Sequence, residues 1–137
     1  MSNGWERIRL RVETKESLKS GNMDDTRTIS CHILDTAVGK AAAGVPLVLY
    51  RQLPNDQWQE MGQATTNEDG RVSQLLGYAD FQSGIYKLRF NIQPYFEAKK
   101  TPSFYPYIEI VVKCERGQHY HIPLLLSPFG YTTYRGT

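Results

Sequence analysis

His119-Tyr-His-Ile-Pro-Leu-Leu-Leu-Ser-Pro-Phe-Gly-Tyr-Thr-Thr-Tyr-Arg-Gly-Thr137 reads as an apolar strand, a Ser-Pro-Phe-Gly turn and a short polar end. Side chains of an extended chain alternate between faces, so Tyr120, Ile122, Leu124 and Leu126 share one face and His119, His121, Pro123 and Leu125 the other. The first set is a core face. The second stands two imidazoles beside a proline and a leucine, where a lone domain normally shows charged or small polar groups, and so marks a face that meets something.

Ile29-Ser-Cys-His-Ile-Leu-Asp35 repeats the signature: Cys31 and Ile33 on one face, His32 and Leu34 on the other. If the two strands are neighbours in one sheet, His32 and His121 converge; alternation alone fixes a face and not a distance. Between them, residues 45–50 are a β-rich run, 53–56 a turn into a strand at 58–61, and Thr66-Asn-Glu-Asp-Gly70 a second turn that delivers Arg71 at its exit. Residues 85–92 alternate strictly between apolar and polar, and 107–112 form a further strand. Residues 94–100 are the one plausible helix, with Pro94 at its start and Lys99 and Lys100 at its end, where the helix dipole favours cations. Strands this short, separated by turns this regular, predict an all-β antiparallel sandwich of seven or eight strands with one short helix.

A chain of 137 residues is the size of one domain able to bury a core without staples. Lys and Arg number 16 against 14 acidic residues, with no basic stripe for phosphates, which argues against nucleic acid as a partner. Cys31 and Cys114 are read as reduced and buried. No apolar run approaches the roughly 20 residues that span a bilayer, and the N-terminal stretch lacks the apolar centre of a signal peptide, so a soluble intracellular protein is expected, without a membrane partner. Residues 1–27, dense in charges of both signs and carrying Ser20-Gly21-Asn22, are read as a mobile leader; the domain is expected to occupy residues 28–137.

A neutral histidine near pH 7 takes a proton from water, and an adjacent guanidinium holds the negative charge that develops on an attacked carbonyl. His32 and His121 are the candidate bases, Arg71 and Arg135 the candidate cations. His119 and His121 with His32 form a rival three-imidazole zinc site with a fourth position open for water, but no acidic residue nearby is evident to orient the ligands. Cys31 and His32 are adjacent on a strand, face apart and make no nucleophile–base dyad. Gly-x-Ser-x-Gly, Walker and dinucleotide fingerprints are absent, and Asp35 reads as a turn-capping carboxylate.

His32-Ile-Leu-Asp-Thr36, Asn67-Glu-Asp-Gly-Arg71 and the closing residues 121–137 resemble the transthyretin-related 5-hydroxyisourate hydrolases of urate degradation, over about residues 28–137. The most specific part is Tyr134-Arg135-Gly136-Thr137, similar to the Tyr-Arg-Gly-Ser ending of these enzymes and missing from transthyretin, the hormone carrier of the same fold. Thr137 stands where the family usually has Ser, and the hydroxyl is kept. The resemblance implies a Greek-key sandwich of eight strands assembling as a homotetramer, a dimer of dimers with a channel along the interface. It further implies hydrolysis of 5-hydroxyisourate to 2-oxo-4-hydroxy-4-carboxy-5-ureidoimidazoline without a cofactor, and reading the three histidines as a base and its companions instead of a ligand set makes that hydrolysis metal-independent. His32, Arg71 and His121 would be catalytic, and Tyr134, Arg135, Gly136 and Thr137 would bind substrate; His119, outside the motif, is expected to tolerate substitution. The alternative is a carrier that binds a small aromatic ligand in the same channel without turning it over. Its markers, a different ending and other residues at positions 32 and 121, are not found. A sandwich adhesion module, a third class, predicts no convergence of His and Arg on one face. Cytoplasm is the expected compartment, with the peroxisome as alternative because relatives of this family occur there; Arg-Gly-Thr is not a Ser-Lys-Leu-type address.

Overall fold

The alternation of apolar and polar side chains becomes two facing sheets in a computed structural model, which describes residues 26–137. In chain order the elements are β1 (Ile29–Asp35), β2 (Lys40–Ala41), β3 (Pro46–Gln52), β4 (Trp58–Thr65), β5 (Arg71–Val72), β6 (Gly84–Phe90), α1 (Gln93–Ala98), β7 (Ile108–Cys114), β8 (Tyr120–Ser127) and β9 (Gly130–Thr133). One sheet runs β2-β1-β8-β9, with β5 also bonded to β1; the other runs β4-β3-β6-β7. The expected leader falls almost wholly outside the described residues.

Among the described residues, the expected antiparallel arrangement holds for every strand pairing but one. β1 and β8 are parallel, in register from Ile29 opposite Tyr120 to Asp35 opposite Leu126. A parallel pair needs a long connection. Here no crossover helix supplies it: the chain leaves β1, builds the whole second sheet, and returns as β8. This register sets Ser30 opposite His121 and His32 opposite Pro123.

Burial follows the alternation. Ile29, Cys31, Ile33, Ile122, Leu124 and Leu126 face Leu47, Leu49, Tyr86, Leu88, Phe90 and Ile108 across the interior, all of them buried. Each such large apolar side chain contributes about 1.5–3 kcal/mol by leaving water. Both cysteines are free and buried, and burial pushes their thiols up to about 12. The helix begins at Gln93, one residue before the expected start at Pro94, and stops at Ala98, two residues before the expected end, with Lys99 as its cap and Lys100 at φ 53°. Its Tyr95 hydroxyl donates to Asp35 Oδ2 at 2.8 Å, while the Ala37 N–H donates to Asp35 Oδ1 at 3.0 Å. Asp35 is therefore a turn-capping carboxylate that also ties α1 to the end of β1.

The polar end after the Ser-Pro-Phe-Gly turn is itself a strand. Residues 130–133 pair with β8 as β9, and the Thr133 hydroxyl donates to the Pro123 carbonyl at 2.7 Å. Among the described residues no helix is long and apolar enough to cross a membrane.

Candidate active site

Three segments meet on the outer face of the β1–β8 pair. β8 supplies His121, with His119 just before its first residue, β1 supplies Ser30 and His32, and β5 supplies Arg71. The turn before Arg71 is fixed by its own sequence: Asn67 Oδ1 accepts from the N–H groups of Asp69 and Arg71 at 2.9 and 3.0 Å. Gly70 has φ +72°, and a Cβ there would stand 2.5 Å from the Ile33 carbonyl oxygen, so only glycine lets the turn press against β1. The antiparallel register then sets Arg71 directly opposite His32.

The two imidazoles whose convergence alternation left open do converge. The rings of His32 and His121 lie 6.4 Å apart between centroids at an interplanar angle of 29°. His119 lies a further 6.4 Å from His121 on the other side. Ser30, buried, sits between the last two: its hydroxyl oxygen is 2.7 Å from His121 Nδ1 and 2.9 Å from His119 Nε2.

Residues 134–137 divide between two places. The Gly136 N–H donates to the His121 carbonyl at 2.7 Å, and a Cβ on Gly136 would lie 2.8 Å from His121 Cδ2, so this glycine packs edge-on against the imidazole. Thr137 lines a cavity of about 250 Å³ together with Arg27, Ser30, Arg71, Val72, Ser73, His119 and His121. Arg135 does not join them. Its guanidinium lies 4.4 Å over the Tyr120 ring and donates to Gln118 Oε1 at 3.2 Å. Tyr134 and Arg135 instead line a larger, mostly apolar cavity of about 370 Å³ beside β7. That cavity contains no imidazole, so acid–base chemistry belongs to the smaller one.

All three histidines are held below the usual imidazole value. For each the first cause is burial, which disfavours the charged ring. Arg71 then lowers both His32 and His121, and the second histidine lowers His121 further; the Asp69 backbone and carboxylate partly oppose this at His32. Arg27, His121 and Arg135 lower His119. The site thus holds neutral imidazoles, able to accept protons at pH 7, beside a guanidinium able to hold an anion. The zinc reading finds no support in this geometry: among the described residues no group of three His, Cys, Asp or Glu side chains is placed to hold a metal ion, and Ser30 takes up a nitrogen each of His119 and His121. Ser30 was missed by sequence reasoning. It lies two residues before His32 and hence on the same face, but only the register with β8 sets it against two imidazoles.

The class these features define is a two-sheet β-sandwich with neutral imidazoles and an arginine lining a small outer cavity. The chain belongs to the HIUase/Transthyretin family, whose model matches residues 29–136. A mouse relative named 5-hydroxyisourate hydrolase is 43% identical over 115 residues, covering 82% of this chain and 98% of its own. The solved structure of Klebsiella pneumoniae 5-hydroxyisourate hydrolase superposes with a TM-score of 0.70 at 31% identity, covering 80% of this chain and 99% of that one. Sea bream transthyretin, solved with thyroxine, gives a TM-score of 0.76 at 27% identity, covering 80% and 94%. Both branches of the family thus share this backbone, and the side chains in the cavity have to separate them.

Proposed function

We propose that the chain hydrolyses 5-hydroxyisourate to 2-oxo-4-hydroxy-4-carboxy-5-ureidoimidazoline, opening the six-membered ring. The observation that carries this reading is the meeting of His32, His121, Arg71 and Thr137 at one outer face, with the imidazoles neutral. His121 takes a proton from water while the water oxygen bonds to a ring carbonyl carbon. The oxyanion that forms lies against the Arg71 guanidinium. The carbon–nitrogen bond then breaks, and the departing nitrogen receives the proton that His121 took from water, with His32 relaying it or orienting the water. Water's two hydrogens end on the new carboxyl group and the released nitrogen, and the histidines return to neutral. Arrangements of this kind contribute roughly 10² to 10⁴ from general acid–base catalysis. The Thr137 hydroxyl holds a polar edge of the substrate, and Gly136 brings the closing segment close to His121. Protein groups alone supply these steps, so turnover needs no metal.

The active assembly is a homotetramer. In support, among the described residues β7 and β9 end their sheets with an unpaired edge, and Val111, Phe104 and Phe129 are exposed apolar side chains. Freshly made 5-hydroxyisourate, followed by its ultraviolet absorbance, tests the reading: catalysed loss of the signal supports it, and binding without turnover favours the carrier.

A further inference from the structure

Ser30 joins two imidazoles through one hydroxyl, 2.7 Å from His121 Nδ1 and 2.9 Å from His119 Nε2. A hydroxyl has a single hydrogen and two acceptor lone pairs, so Ser30 donates to at most one of these rings and accepts from any ring nitrogen that turns a hydrogen toward it. Ser30 occupies Nδ1 of His121, and Gly136 packs beside its Cδ2. Nε2 is therefore the ring nitrogen left for water and substrate. For Nε2 to accept a proton its lone pair must be free, and then the ring hydrogen sits on Nδ1 and donates to Ser30. The Ser30 hydrogen is turned onward to His119 Nε2, which a neutral His119 with its own hydrogen on Nδ1 leaves free to accept. An imidazolium at 119 would donate from both nitrogens and force Ser30 to accept. Burial, followed by Arg27, His121 and Arg135, holds His119 in the neutral form.

We propose that Ser30 is a positioning residue which, with His119 as the acceptor of its hydroxyl hydrogen, locks His121 in the Nδ1–H tautomer and leaves Nε2 as the base. With this arrangement, proton uptake at Nε2 breaks no hydrogen bond, because Nδ1–H donates to Ser30 before and after. In the reverse arrangement Ser30 donates to Nδ1, the ring hydrogen sits on Nε2, and the base is lost. His119, set outside the motif by sequence, becomes a working member of the site through a residue it never touches by sequence proximity. The use of the lock in catalysis rests on the hydrolase reading; the lock itself does not.

Nitrogen-15 histidine labelling of the full chain, read by long-range proton–nitrogen correlation well above the unperturbed imidazole value of about 6.5, distinguishes the tautomers. The expected spectrum has His121 protonated at Nδ1. Ser30→Ala should shift it toward Nε2–H and lower kcat about 10-fold with little change in KM, the population change that a neutral hydrogen bond supports. Ser30→Thr should keep both the tautomer and the rate. His119→Phe, the second variant should Ser30→Ala fold poorly, removes the ring nitrogen that takes the Ser30 hydrogen, which then turns to His121 Nδ1 and should also produce the Nε2–H form. Wild-type His121 protonated at Nε2, or a tautomer unmoved in both variants, overturns the proposal. A wild type with the Nδ1–H form that leaves 5-hydroxyisourate intact removes the hydrolase reading and leaves the lock standing.

Discussion

Replacing Gly136 by alanine tests whether the closing segment places His121. The Gly136 backbone does not lie in the left-handed region, so the new methyl group is judged by contact alone. It would meet His121 Cδ2 at 2.8 Å, the His121 carbonyl oxygen at 3.2 Å and Pro123 Cγ at 3.3 Å. Moving from 2.8 Å to the 3.4 Å where ordinary contact begins requires a shift of about 0.6 Å. Overpacking of this kind costs about 1–3 kcal/mol. The backbone bond that holds Gly136 to His121 contributes about 1 kcal/mol, so either the imidazole moves off Ser30 or the segment lifts away with Thr137. Misplacement of about 1 Å can cost roughly 10²-fold in rate. The expected result is a kcat for 5-hydroxyisourate lowered between about 10- and 100-fold, with stability reduced by only about 1 kcal/mol in a thermal melt. Gly130→Ala is the control, since its nearest new contact, Ser127 Oγ, is at an unstrained 3.8 Å. Equal and undiminished turnover in the two variants would refute the reasoning.

The base must be neutral, and burial, then Arg71 and His32, depress His121 below 6.5; activity should persist through pH 6.5 and fall only as pH drops through that lower value. A kcat–pH profile with its midpoint above 6.5 contradicts this. His121→Asn should keep the fold, by circular dichroism, and lose roughly 10² to 10⁴ of the rate; near-normal turnover removes it from the mechanism. Dialysis against a strong chelator should leave the rate unchanged, and loss restored by zinc revives the metal reading. Deleting residues 134–137 should leave an intact assembly in sedimentation with most activity gone, whereas Thr137→Ser stays close to wild type; dissociation on deletion makes the segment structural.

Face assignments were legible because alternation is local. Tyr120, Ile122, Leu124 and Leu126 are buried as the pattern requires, and Cys31 and Ile33 likewise. Arg71 was legible because Asn67-Glu-Asp-Gly70 encodes its own turn. Pairing was not. That β1 lies parallel to β8 depends on a path through the second sheet, which no local pattern records, and with it went Ser30. Arg135 illustrates a second limit. A guanidinium suits a substrate's polar edge and an aromatic face alike, and here it lies on Tyr120 and Gln118. β9 was hidden because Gly130, Tyr131, Thr132 and Thr133 carry no apolar alternation, although threonine and tyrosine favour strands.

The parallel β1–β8 pair also sets the order in which the molecule can be put together. Ser30 and His121 touch across 91 positions of chain, and Ser30 and His119 across 89. Hairpin partners such as β3 and β4 close over a few residues. Long closures come after short ones when the chain orders itself, because their entropy is lost before any contact repays it. The second sheet can therefore exist while β1 still waits for β8, with Ile29, Cys31 and Ile33 uncovered and a bare hydrogen-bonding edge beside them. A chain at that stage would have four of the nine described strands in a sheet and none of the site. It is also the species most open to pairing with another chain.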